Sequence, residues 1–296
     1  MASQIGAATI GEAPAARTRA AKHALPLGAA CPNCGTGLAG PWCQACGQSS
    51  DDFHRSLPRL AREAVGDAFD IDGRIWRTLP DLALKPARLT RRYLDGQRVA
   101  QIPPFRLFLI VVVLVFLAVS LGPQKRPVFD LGGEPGAEPS GLQVHVAAPT
   151  GELADQWVTT RLKIAAKDPA RFEALLTEWA QRLAVLALPT SAALLGLLFF
   201  WRRGVYMFDH LIFSMHSLSF QGLLVALVMA SSQLSGWFGW LLLIAPAHLF
   251  AHLKGTYGLG VVGALTRMAV LFVGSAIGFG LALVGLVLIG LVETGA

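Results

Sequence analysis

The run Leu107-Phe108-Leu109-Ile110-Val111-Val112-Val113-Leu114-Val115-Phe116-Leu117-Ala118-Val119 contains no charged and no hydrogen-bonding side chain. Extended to 102–121, it reaches the roughly 20 residues a helix needs to cross the hydrocarbon of a bilayer. No water is available there for backbone groups, so the segment must be helical. Four further runs of this kind follow, at 183–201, 211–230, 237–253 and 268–292. The chain is 53% hydrophobic and 15% charged, with a mean hydropathy of +0.51. These values exclude an ordinary soluble enzyme and point to a mainly α, polytopic helical membrane bundle of about five spans.

The residues just before the first span set its orientation. Residues 1–106 hold fourteen Lys/Arg against nine Asp/Glu, and Lys85, Arg88, Arg91, Arg92, Arg98 and Arg106 gather next to the apolar run. Basic residues collect on the cytoplasmic side, so the N-terminus is placed there. Arg202-Arg203 and Lys254 then also fall in the cytoplasm, and the C-terminus falls outside. The expected location is a membrane, with the lipid bilayer as first partner. Trp237 and Trp240 would mark the outer interface and Trp201 the inner one. In the last span, Gly274 and Gly278 allow close helix packing.

Between these spans lie segments of other character. Residues 1–30 are rich in Ala, Pro, Arg and Gly, lack an apolar signal-peptide core, and read as a disordered tail. Residues 51–101 read as amphipathic juxtamembrane helices over 57–69, 74–84 and 87–94, lying on the inner leaflet or packing under the bundle. Residues 122–182 form an extracytoplasmic loop, starting with a Gly/Pro/Glu-rich linker at 132–139 and turning helical from Gly151 onward. No internal repeat is evident.

All four cysteines of the chain sit in one short region, Cys31-Pro32-Asn33-Cys34-Gly35 and Cys43-Gln44-Ala45-Cys46-Gly47. Two C-x-x-C-G turns aim four thiolates at one tetrahedral Zn²⁺, a closed structural site with no position left for water. Residues 31–50 therefore read as a zinc ribbon in a reducing compartment. A unit of about 20 residues buries too little apolar surface to fold unaided, so its metal would supply the folding energy.

Ionisable groups inside a membrane are costly and mark candidate sites. His210, His216, His248 and His252 lie in the third and fourth runs. At about 1.5 Å per residue, His216 is roughly 9 Å deeper than His210, and His248 roughly 6 Å deeper than His252. All four share one depth band in the inner half. Asp209 is seven residues from His216 and on the same helix face. If the two helices meet on these faces, Asp209, His216, His248 and His252 converge and could bind a metal, relay protons or act as acid and base. The blander reading is that each imidazole bonds a neighbouring helix. Pro246, two residues before His248, is expected to kink the fourth span.

Several stretches resemble an uncharacterised bacterial membrane family, a domain of unknown function that begins with a short zinc ribbon. They are the two C-x-x-C-G turns with Gln48, Phe69-Asp70-Ile71-Asp72-Gly73-Arg74 with Arg77-Thr78-Leu79, Lys85-Pro86 with Arg92-Tyr93-Leu94-Asp95-Gly96-Gln97-Arg98, Pro104-Phe105-Arg106-Leu107-Phe108-Leu109, and Asp209-His210-Leu211-Ile212-Phe213-Ser214-Met215-His216. Tyr257-Gly258 is similar too. The family usually carries Glu at the position of Asp209. The resemblance implies an inner-membrane protein with a cytoplasmic zinc ribbon, and it singles out Asp209-His210 and His216. It implies no activity.

The functional readings divide three ways. A regulatory or interaction protein would dock a cytoplasmic protein on the ribbon. A transporter or channel would line a cation or proton path with the histidines, for which an oligomer is compatible. An intramembrane enzyme is the weaker idea, because H-E-x-x-H, G-x-S-x-G and a phosphate-cradling glycine loop are all absent. Nucleic acid is disfavoured, since residues 31–50 have no Lys or Arg to meet phosphates.

Overall fold

The computed structural model describes residues 25–50, 73–121, 152–184, 186–232 and 235–294. The expected tail up to residue 24, the amphipathic helix at 57–69 and the linker at 132–139 lie outside the described residues. The described chain is helical apart from the cysteine region, where two isolated antiparallel bridges form, and it contains no extended strand.

Two short helices follow Gly73: α1 (Ile75–Leu84) and α2 (Pro86–Leu94). Only Lys85 separates them, and Pro86 starts α2 at the position where a missing N–H costs nothing. The bundle contains α3 (Pro104–Leu121), α6 (Ala187–Leu198), α7 (Met207–Ser232), α8 (Ile244–Tyr257) and α9 (Val261–Thr294). Between α3 and α6 stand α4 (Glu152–Lys167) and α5 (Pro169–Ala184).

Four stretches have the length and composition to cross a membrane: α3, α7, the continuous 22-residue rod Gly236–Tyr257, and α9. The apolar run at 183–201 contains a shorter apolar helix. It is divided between the end of α5 and the twelve-residue α6, about 18 Å long. Pro246 behaves differently from a mid-helix kink. Residues Gly236–Leu243 are 3-10 helix and the α-helical bonding starts at Ile244. Pro246 thus occupies the first α-helical turn, at the junction of the 3-10 and α segments.

Helix α7 is the centre of the bundle. Its Ile212 and Met215 pack with Phe108 of α3 and Leu188 of α6, and its Phe213 packs with Leu195 and Leu253. Gly222 has no side chain to hold α3 away, so Val111 lies against its backbone. At the far end, Phe172 and Leu176 of α5 close over Gly290 of α9, and Trp179 Nε1 donates to Glu293 at 3.1 Å. The 34 residues of α9 span about 51 Å, and α4 and α5 pack against its C-terminal part.

The α1–α2 pair is part of the bundle. Leu82 and Leu89 are fully buried against Ile102 and Leu107 of the α3 entry and Phe220 of α7. Tyr93 and Leu94 join Phe208 and Ile212. Helix α2 reaches α8 because Gly255 has no side chain: a Cβ there would stand 2.4 Å from Ala87 Cβ. Gly255→Ala is expected to destabilise the protein by about 1–3 kcal/mol through overpacking. Gly285→Ala, facing open space, is the control. Thermal unfolding in detergent measures both, and equal midpoints would refute the close α2–α8 contact.

Candidate functional site

The cysteine region is built from two copies of one turn. Cys31 N donates to Thr36 O and Gly35 N to Cys31 O, and twelve residues later Cys43 N donates to Gln48 O and Gly47 N to Cys43 O. The bonds Leu38 N to Ala29 O and Ser50 N to Pro41 O repeat at the same offset, as do the bridges Ala30–Gly37 and Trp42–Ser49. A twelve-residue internal repeat is therefore present in the backbone. Its signal in the sequence is the offset of the two C-x-x-C-G units. Gly35 and Gly47 adopt φ values of 78° and 73°, which side chains other than glycine disfavour.

The repeat pairs the first cysteine of each turn with the second of the other. Cys31 Sγ lies 3.6 Å from Cys46 Sγ, and Cys34 Sγ lies 3.5 Å from Cys43 Sγ. All four sulfurs fall within 4.8 Å of one another. A tetrahedral ion with metal–sulfur bonds of about 2.3 Å needs sulfur–sulfur edges of about 3.8 Å, so the four can hold a metal ion. The separations are far too long for disulfides. Among the described residues no other group of three or more ligating side chains meets the same criterion.

The thiols differ in environment. Cys34 is lowered to about 6, first by the Thr36 hydroxyl and then by the Thr36 backbone N–H. Cys46 is pushed up to about 11, chiefly by burial. A bound divalent ion would favour the thiolate at all four positions and override this spread.

This unit is fastened to the membrane-proximal chain by Gln48. Its Nε2 donates to Gly96 O at 2.7 Å, and its Oε1 accepts from Arg98 N at 3.3 Å. Gly96, with φ 91°, lies so close to Pro32 of the first turn that a Cβ would be 2.8 Å from Pro32 Cβ. Gly96 belongs to the Asp95-Gly96 turn that ends α2. The metal turn and α2 are thus joined through both faces of one side-chain amide.

Helix α2 leads directly to the histidines. Thr90 Oγ1, fully buried, is 2.9 Å from His216 Nδ1 and 2.8 Å from His252 Nε2. A hydroxyl has one proton, so Thr90 donates to one imidazole and accepts from the N–H of the other. Because the contacts use Nδ1 of His216 and Nε2 of His252, the two neutral rings hold the same tautomer, both protonated at Nε2 or both at Nδ1. If His252 donates from Nε2, the atom without a protein partner at its Nδ1 is a lone pair rather than an N–H. His248 Nε2 donates to Leu82 O of α1 at 2.8 Å. Phenylalanines of α7 flank these rings: Phe213 stacks on His252 at 4.0 Å and Phe220 on His248 at 3.5 Å.

The expected convergence is thus partial. His216 and His252 meet through Thr90, and His248 lies edge-on to His252 with ring centres 5.9 Å apart. His210 is separate, with Nδ1 2.9 Å from the Tyr257 hydroxyl. Asp209 does not join the group: its Oδ2 accepts from Tyr206 N at 2.8 Å, capping the first turn of α7. An acidic residue in the first turn of a helix is the signal that pointed to this role. Gln48 stands out in the sequence only within the stretch that carries the family resemblance, and Thr90 does not stand out at all. A threonine in a helix with three arginines has no local mark of burial.

Residues 72–116, which contain α1, α2 and most of α3, match a family model described as a protein of unknown function. The matched segment includes Thr90 and the Gly96 turn but neither the cysteines nor the histidines. Comparison with curated proteins and with solved structures gave no match. The geometry and the family match agree on an integral membrane protein of unknown activity, with a cysteine cluster able to hold a metal.

Proposed function

We propose that this chain is a regulatory or interaction protein of the bacterial inner membrane. Its cysteine unit is a cytoplasmic Zn²⁺ ribbon that docks a protein partner and holds the α1–α2 hairpin in its seat. The observation that carries this reading is the Gln48 amide, bonded on both sides to the turn that ends α2. Through it the fold of the ribbon and the position of Thr90 between two membrane histidines depend on each other. Trp42, 63% exposed on the ribbon, offers an aromatic anchor to the partner.

The orientation is argued from position. Arg202, Arg203, Lys254 and Arg267 lie near one end of the bundle, where Arg202 donates to Tyr257 O and Arg267 stacks over Phe199. Helix α6 lies along α9 from Leu194 beside Gly274 to Thr190 beside Gly278, and α5 continues to Gly290. Together α5 and α6 follow α9 through the bilayer, which supports five passages with the ribbon inside and the end of α9 outside.

The alternative is transport or intramembrane catalysis at the histidines. The imidazole contacts argue against it, since three of the four rings clasp α1 or α2 and Asp209 is taken up as a helix cap. Gln48→Ala tests the preferred reading. It is expected to leave the metal content unchanged while amide exchange at 86–98 accelerates about tenfold, as for a lost pair of buried hydrogen bonds. Unchanged exchange would show that ribbon and hairpin are independent.

A further inference from the structure

We infer that the outward face of the α1–α2 hairpin is a binding surface for anionic phospholipid headgroups of the leaflet on the ribbon side. Helix α1 is two-faced. Thr78 and Leu82 are buried against the entry to α3, where Thr78 Oγ1 accepts from Ile102 N at 3.1 Å. The opposite stripe, Trp76, Pro80, Ala83 and Leu84, is exposed, with Trp76 and Leu84 each at 78%. A tryptophan and a leucine left open at the start of a membrane span fit the boundary between headgroups and acyl chains.

The charge around this stripe selects the lipid. From residue 74 to residue 98 the chain carries seven Lys/Arg and two Asp. Asp81 is shared by Arg88 at 3.1 Å and Arg92 at 3.7 Å, and Asp95 pairs with Arg91 at 3.2 Å. Arg77 and Lys85 are exposed, flank the apolar stripe and have no ion pair among the described residues. Two unneutralised cations beside an interfacial tryptophan recruit negative headgroups by charge and hold them by apolar contact. A zwitterionic leaflet would supply the contact without the charge.

The test is fluorescence quenching of the full-length protein in nanodiscs containing dibrominated phosphatidylglycerol or dibrominated phosphatidylcholine at equal bromine content. The Trp76 signal is isolated as wild type minus Trp76→Phe. It should be quenched at least about twofold more by the anionic lipid, and Arg77→Gln with Lys85→Gln should abolish the difference while leaving quenching by phosphatidylcholine unchanged. Equal quenching by both lipids would overturn the headgroup selectivity. A Trp76 signal reached by aqueous iodide and untouched by either lipid would overturn the surface altogether.

Discussion

Changing Cys31, Cys34, Cys43 and Cys46 together to serine is expected to take the protein from one bound zinc to none and to unfold residues 25–50. The reason is size. The ribbon's buried apolar residues are Leu38 and two of the cysteines themselves, a core far too small to hold a chain of this length without a metal. Structural zinc contributes about 10 kcal/mol or more in units of this kind, so removal is all-or-none. With the ribbon unfolded, Gln48 no longer holds Gly96, and amide exchange at 86–98 should rise as it does in Gln48→Ala. Elemental analysis of the detergent-purified protein, followed by exchange mass spectrometry, measures both. A wild-type protein purified with zinc present but holding none would sink the ribbon. A second equivalent that survives in the serine variant and vanishes in His216→Ala would place a metal among the membrane histidines and move the reading to transport or catalysis.

Thr90→Val is the second large effect. Valine matches threonine in shape and removes only the hydroxyl, so packing of α2 is kept. Two buried imidazole nitrogens then lose their partner at once. Each buried polar group left unsatisfied costs about 1–3 kcal/mol, giving a total of about 2–6 kcal/mol. Thr90→Ser keeps the oxygen and should lie within about 1 kcal/mol of wild type. Equilibrium unfolding in mixed micelles resolves a difference of this size. If Thr90→Val proves as stable as Thr90→Ser, the hydroxyl bridge does not hold the hairpin.

The two effects are linked by chain geometry. Gly96 is six residues beyond Thr90, on the turn that closes the same nine-residue helix. A shift of that turn moves a rigid element whose other contacts include Leu89 against the α3 entry, Ala87 against Gly255, and Tyr93 and Leu94 against Phe208 and Ile212. The imidazoles thus bond the hairpin from the bundle side, and the Gln48 amide bonds it from the side of the cysteine turns.

Much of this was legible in the residues. The C-x-x-C-G pairs announced a four-sulfur cluster because thiolate spacing is a local property of two turns. The depth arithmetic placed the four histidines in one band of the inner half, with His216 nearer the level of His248 than of His252, since helical rise is uniform and the two runs read as antiparallel. Arithmetic along a helix says nothing of what fills the space between helices, and that space is filled by Thr90. Asp209 shares a helix face with His216, and its carboxylate is taken by the backbone N–H of Tyr206 three residues away. Hydropathy marks residues 183–201 as one apolar run and does not register that they carry both the last residues of α5 and the whole of α6.

The sequence alone determined that this protein has stretches long and apolar enough to cross a membrane, that its N-terminal segment can gather four thiolates, and that four histidines fall in or at the edge of two of its apolar runs. Each of these follows from composition or from spacing within a single element. Only the tertiary structure decided that α1–α2 enters the bundle, that Gln48 ties the cysteine turns to it, and that a threonine separates two histidines. Those contacts join residues 48 to 166 positions apart. Contacts at such separation depend on which helix faces meet, and side-chain packing settles that after each helix has formed.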